Sequence, residues 1–165
     1  MWSYDELWAR AAARHGDEEL TRRLPVVADA NALETLSDDR VLAAMARVVF
    51  SAGVRWSVIN AKWDGFESAF EGFAPDVVAS FSSDELEALR QDTRIVRNPQ
   101  KIRATVANAH FVVETSAEHG GFGAFLSRWP DDDVVGLWGW LKTNGNRLGG
   151  DSGPRVLRAL GKDTF

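Results

Sequence analysis

Large apolar residues return every three or four positions in most stretches of this chain, and glycine, proline or short polar caps separate one stretch from the next. Val41, Met45, Val48, Val49 and Ala52 form one such stripe, and side chains at that spacing share one face of an α-helix. Ser37, Asp38 and Asp39 supply its start and Gly53 its stop, so a core-facing helix is predicted between them. Trp56, Ile59, Trp63, Phe66 and Phe70 continue the pattern and predict a single helix with one aromatic face, ending before Gly72.

The remaining elements follow from caps and breakers. Ser3-x-x-Glu6 and Ser82-x-x-Glu85 are capping boxes. The first opens a helix that Gly16 can close, and the second leads through Leu86 and Leu89. Asp17 to Leu24 reads as a short helix ended by Pro25, and residues 25–37 read as linker. Pro75 begins a brief helical turn with Val77 and Val78. Asn98-Pro99 opens a long helix through Ile102, Val106, Ala109 and Val113 toward Gly120. A small segment with Phe125, Leu126 and Trp129 precedes Pro130, and Val134, Leu137, Trp138 and Leu141 mark a helix ended by Gly145. A glycine-rich turn from Leu148 to Pro154 then leads into a last helix, Pro154 to Leu160, stopped by Gly161. No strand alternation, repeat or low-complexity tract interrupts the series, so the fold class expected is all-α. Residues 1–36 form an N-terminal helical segment with its linker, and residues 37–165 a helical domain, together one compact unit.

Composition narrows the function classes. With 45% hydrophobic residues, seven Trp and nine Phe in 165 residues, the chain can fill a core and is not disordered. Cysteine is absent, which excludes disulfides and thiolate zinc sites, and His15, His110 and His119 are too scattered for a metal cluster; no cofactor or metal is expected. The start, Met-Trp-Ser-Tyr-Asp-Glu-Leu-Trp, lacks the basic residues and apolar run of a secretory signal. Nowhere do about eighteen apolar residues follow one another, so a cytoplasmic protein without membrane contact is expected. A net charge of −5 argues against coating nucleic acid electrostatically, and any DNA-binding surface must be local.

Three blocks carry more than fold. Phe50-Ser-Ala-Gly-Val-Arg-Trp56 runs into Lys62-Trp-Asp-Gly-Phe66. Asp92-Thr-Arg-Ile-Val-Arg-Asn-Pro-Gln-Lys-Ile102 follows, and then the Gly145 to Gly161 hairpin region. In this order and spacing the chain resembles the 3-methyladenine DNA glycosylase I family of the helix-hairpin-helix DNA glycosylase superfamily, over roughly residues 37–165. The resemblance implies a helix-hairpin-helix glycosylase-like array acting as a monomer on double-stranded DNA. It implies an enzyme of base-excision repair that everts an alkylated purine such as 3-methyladenine and hydrolyses its N-glycosidic bond without a metal. Such chemistry asks for an aromatic surface to stack the base, a wedge to fill the gap, and negative charge near a cationic sugar.

The resemblance places these roles. Trp56, in Gly53-Val-Arg-Trp56, takes the stacking position, with Trp63, Phe50 and Asn60 as further base-binding candidates. The same spacing also reads as core packing. Val54 and Arg55 stand at the wedge, or in a plain surface turn. Gly149, Gly150, Ser152 and Gly153 can aim backbone N–H groups at a phosphate, with Arg147 and Arg155 beside them. Asp151 in the same turn opposes phosphate or caps the helix. Arg94, Arg97, Lys101 and Arg103 form a second basic cluster, readable equally as a solvated face. Asp163 falls where superfamily members carry a catalytic aspartate, and equally where an exposed terminal residue sits.

Departures from the family pattern matter as much. Val48 occupies the position of the family's base-reading glutamate, and a valine can neither accept a hydrogen bond nor balance a cation. The family's tyrosine-bearing N-terminal segment has no counterpart, Tyr4 being the one tyrosine, and its Cys/His zinc site cannot form. Related proteins continue with more helix beyond the position of Phe165, which implies a shortened or truncated C-terminal lobe. Three functions stay open: a glycosylase for alkylated purines, a non-catalytic helix-hairpin-helix module binding damaged DNA, and a helical protein-interaction domain.

Overall fold

The computed structural model describes residues 3–23 and 27–162. Those residues form twelve α-helices and no strand. In chain order they are α1 (Tyr4–His15), α2 (Asp17–Arg23), α3 (Ala30–Glu34), α4 (Asp38–Ser51), α5 (Trp56–Ala61), α6 (Trp63–Ala69), α7 (Pro75–Ala79), α8 (Ser83–Gln91), α9 (Pro99–His119), α10 (Phe122–Arg128), α11 (Val134–Asn144) and α12 (Ser152–Leu160). A single 3-10 turn, Glu71–Phe73, joins α6 to α7. No helix among the described residues is long and apolar enough to cross a membrane.

The long helix α9 is the spine. α4 lies along it, and α7, α8 and α10 also pack against it. Val41, Leu42, Met45, Val49 and Phe50 of α4 are buried together with Ile102, Ala109 and Val112 of α9. Phe66, Phe70 and Phe73 extend this core as a run of stacked rings. Burying each large apolar side chain contributes about 1.5–3 kcal/mol, which is why the apolar stripes rather than helix propensity decide the packing.

Caps form largely where the sequence places them. Ser3 and Ser82 make both bonds of their capping boxes, and Asn98 Oδ1 accepts from the amides of Gln100 and Lys101. Ser37 makes no side-chain cap bond to α4; instead the adjoining Asp38 accepts from the amide of Phe122 at 3.0 Å, tying the start of α4 to α10.

Three expectations change. The stretch read as linker contains α3, capped by Asp29 Oδ1 on the amide of Ala32 at 2.7 Å. Its Leu33 is buried against α10, where a side chain on Gly123 would collide with the Leu33 carbonyl. One helical turn is too short to display a period. The aromatic stripe is two helices, because the backbone breaks at Lys62 (φ −104°, ψ 3°) between α5 and α6. Lys62 donates to the carbonyl of Thr93 at 2.6 Å, and Gly65 lets α6 touch the backbone of Arg94, so the loop before α9 holds this break. The last helix, α12, begins at Ser152 rather than at Pro154.

Candidate functional site

Helices α4, α5, α6 and α12 surround a cavity of about 270 Å³, roomy enough for one two-ring heterocycle. Arg40, Arg47, Val48, Trp56, Trp63 and Leu160 are among its lining residues. The helical period explains the α4 contribution. Arg40, Ala43, Ala44 and Arg47 repeat at three and four residues on the face turned away from the Val41, Met45 and Val49 stripe. Trp56 is the first residue of α5, directly after the Gly53 turn, and remains 52% exposed.

Arg47 joins the two tryptophans. Its guanidinium carbon lies 5.3 Å from the Trp56 ring centroid and 4.5 Å from that of Trp63, within the range of a cation–π attraction. Nη2 donates to Asn60 Oδ1 at 2.8 Å, whereas the buried Nε has no hydrogen-bond partner.

Trp63 is fixed from behind. Its ring stacks on Phe66 at 5.6 Å and on Phe73 at 5.4 Å, and its Nε1 donates to Glu67 Oε1 at 3.0 Å. Glu67 in turn accepts both ends of the Arg40 guanidinium, at 2.8 and 3.0 Å, and Arg40 also donates to the carbonyl of Gly72. The Arg40 hydrogen bonds hold the Glu67 carboxyl below its ordinary value near 4.5. A depressed folded-state value means that the pair adds stability above the unfolded value and loses it as pH falls through the folded one. Glu67→Gln should therefore cost about 1 kcal/mol at neutral pH, the partly exposed arginine weakening the pair. Urea titrations of both proteins should show this difference shrinking as the pH is lowered below 4.5.

Two further segments are held against α9. The turn after α4, where Gly53 has φ +73°, is pinned by Lys101. This lysine is 6% exposed, and its Nζ donates to the carbonyls of Phe50 at 2.9 Å and Ala52 at 2.5 Å. It satisfies carbonyls that the end of α4 leaves open, at the negative end of that helix. Burial, with Arg147 nearby, pulls the Lys101 ammonium below its ordinary value.

The hairpin between α11 and α12 is anchored by Asn108. Its amide donates to the carbonyl of Asn146 at 3.0 Å and accepts from the same residue's N–H at 2.7 Å. Arg147 (φ +60°) donates to Gln100 Oε1 at 2.6 Å, and Gly150 turns the chain at φ +59°. Gly153 packs so closely that a Cβ there would lie 2.9 Å from the Leu148 carbonyl. Asp151 makes no side-chain cap bond to α12. From this hairpin α12 runs to the cavity, where Ala159 and Leu160 form part of the wall.

A turn beside an exposed tryptophan, a glycine hairpin on the same spine helix, and a helix leading from that hairpin to the tryptophan cavity together make up the site. The family model for methyladenine glycosylases matches residues 32–137, more than half of the chain. The chain belongs to the methyladenine glycosylase family. DNA-3-methyladenine glycosylase 1 of Escherichia coli (strain K12) is 34% identical over 75 residues, a stretch that spans 46% of this chain and only 40% of that relative. The fold is similar to a 3-methyladenine DNA glycosylase I variant solved in complex with 3-methyladenine, with TM-score 0.67 and 23% identity over 76% of this chain and 77% of the other. It is also similar to 3-methyladenine DNA glycosylase I from Staphylococcus aureus, with TM-score 0.66 and 22% identity over 79% and 83% of the two chains. These likenesses establish a glycosylase-type all-α fold.

Within that family frame the residues singled out from sequence fall into different places. Trp56 and Trp63 both line the cavity. Asn60 meets Arg47 at its edge. Phe50 does not line the cavity: it is fully buried, edge-on to Phe66 at 4.7 Å, because its side of α4 faces the core. Val54 packs against the core, and Arg55 is exposed as the residue before α5. Gly149 and Ser152 are half-buried, Gly153 buried, and Gly150 and Arg155 exposed. Asp163 lies outside the described residues. Arg94, Arg97, Lys101 and Arg103 do not form one basic face, since Arg94 is bound to Asp92 and Ser68 and Lys101 points into the interior.

Sequence reasoning missed Arg47, Glu67 and Asn108. A lone arginine inside the apolar run Met45-Ala46-Arg47-Val48-Val49 is a visible signal. The Arg40 partner of Glu67 and the Asn146 partner of Asn108 are remote in sequence, and no local pattern marks them.

Proposed function

We propose that the protein binds duplex DNA, receives an everted alkylated purine in the Trp56–Trp63 cavity and hydrolyses its N-glycosidic bond, as a base-excision repair glycosylase. The observation that carries this reading is α12, which begins at the glycine hairpin and ends at the wall of a tryptophan-lined cavity. One helix thereby couples a backbone-binding turn to a base-sized space. Trp56 stacks on the extruded ring. Gly149, Gly150, Ser152 and Gly153 face the phosphate backbone with Arg147 and Arg155, at the positive end of α12. Arg55, exposed just before α5, enters the gap in the duplex, whereas Val54, packed against the core, is not free to do so. Asp163, three positions beyond the cavity-lining Leu160, stabilises the cationic sugar as the base departs. The family's description as methyladenine glycosylases and the solved relative that holds 3-methyladenine support this substrate class.

Binding of a short duplex should weaken steeply with salt, and Arg155→Glu should weaken it further and flatten the slope by about one unit. Affinity independent of salt, or unchanged in the variant, would contradict the hairpin assignment. A second reading, a module that binds damaged DNA without catalysis, is favoured by one observation: no carboxylate is among the described residues lining the cavity. Release of the base separates the two readings.

A further inference from the structure

We propose that Arg40 is a positioning residue for base release and acts through Trp63, whose edge and face are both held by supports that depend on this one guanidinium. The proposal rests on the base-eversion reading and adds the residue that sets the cavity wall against which the base is placed.

The edge of the indole is held through Glu67. Glu67 Oε1 accepts from Trp63 Nε1 at 3.0 Å and from Arg40 Nη1 at 2.8 Å, and Arg40 Nη2 closes the fork on Oε2 at 3.0 Å. A two-pronged arginine fixes the plane of the carboxylate, and with it the direction of the oxygen that Trp63 meets. The face is held through a left-handed turn. Glu71, Gly72 and Phe73 follow one another with φ of +50°, +64° and +59°, a conformation that only the glycine adopts without strain. The turn brings the buried Phe73 ring onto the indole, with centroids 5.4 Å apart and planes 11° apart. Strained residues of this kind persist only where their surroundings impose them. Here Arg40 Nη2 donates to the carbonyl of Gly72, in the middle of the turn, at 3.0 Å. Arg40 thereby ties α4, α6 and the turn before α7 at one point on the wall that it shares with Trp63. A lysine would keep the charge and lose the planar fork.

Single-turnover release of base from a duplex bearing a single 3-methyladenine tests this, with protein in excess and a protein-free control. Wild type, Arg40→Lys, Trp63→Leu and the double variant are compared per folded molecule, the folded fraction coming from melting curves. Arg40→Lys should release base about tenfold more slowly, since small misplacements of a positioning group cost rates of this order, while binding undamaged duplex as before. In the Trp63→Leu background the same substitution should change the rate by less than about twofold, because no indole is left to position. The near-UV circular dichroism of Trp63, taken as the difference between wild type and Trp63→Leu, should diminish in Arg40→Lys. If Arg40→Lys does not fold, Glu67→Gln breaks the same fork from the carboxylate side and takes its place in the cycle with the same expected dependence on Trp63. A wild-type rate or an unchanged Trp63 signal, or an equal loss with and without Trp63, overturns the proposal and leaves the glycosylase reading standing. If the wild-type protein releases no base beyond the control, the eversion reading fails and the proposal with it.

Discussion

Trp56→Ala is expected to slow release of a damaged base by about 10- to 100-fold, because stacking on an aromatic ring is worth about 1–3 kcal/mol per base. Its thermal midpoint should stay within about 2 °C of the wild type, as exposed positions seldom carry stability. The two readouts belong together. Trp56 is 52% exposed at the head of α5, and Ile59, one turn on, is fully buried and anchors that helix without it. Single-turnover release with protein in excess measures the first quantity, and a melting curve the second. A variant that melts far below the wild type and releases base at the same rate per folded molecule would mark Trp56 as a packing residue.

Lys101→Met should destabilise the protein by about 2–3 kcal/mol. The substitution keeps length and apolar stem but strands the carbonyls of Phe50 and Ala52, which accept from the Lys101 ammonium. Hydrogen bonds from a charged donor are worth about 1.5–3 kcal/mol each, and release of a buried charge offsets part of that loss. The turn at Gly53 is held by these bonds, so duplex binding should fall as well at temperatures where the variant is still folded. Urea unfolding gives the stability change. An unchanged midpoint and unchanged affinity would show that α4 ends and turns without this lysine.

Much of the helical scaffold was legible because caps and stripes are local. Both serine capping boxes, the Asn98-Pro99 start and the Gly120 stop of α9 lie where the sequence puts them. What escaped depends on tertiary contact. The break at Lys62 is held by a bond to Thr93, 31 residues away. Residue spacing alone ran the aromatic stripe straight through it. Asn108 reaches 38 residues to Asn146, so the residue that fixes the hairpin carries no signal beside it. The basic cluster around Arg94 dissolved for a local reason instead: Asp92, two residues earlier, takes up its guanidinium.

The site was legible in outline and not in charge. Trp56 and the hairpin glycines are proposed from the family resemblance; Trp56 lines the cavity between α4, α5, α6 and α12, and α12 alone links that cavity to the hairpin. That Arg47 lies against two indoles depends on how far α5 and α6 turn relative to α4, which the break at Lys62 sets. A sequence stripe carries no such angle. The departure at Val48 was visible, and the structure adds Arg47 beside it in the cavity wall.

The most direct test incubates excess protein with a duplex bearing a single 3-methyladenine, beside a protein-free control, and then cleaves abasic sites with alkali. The account predicts a strand break at the lesion that is strongly reduced in Trp56→Ala, while both proteins bind undamaged duplex equally. An intact strand in the wild-type reaction, with the duplex demonstrably bound, would contradict it and leave a DNA-binding module without glycosylase chemistry.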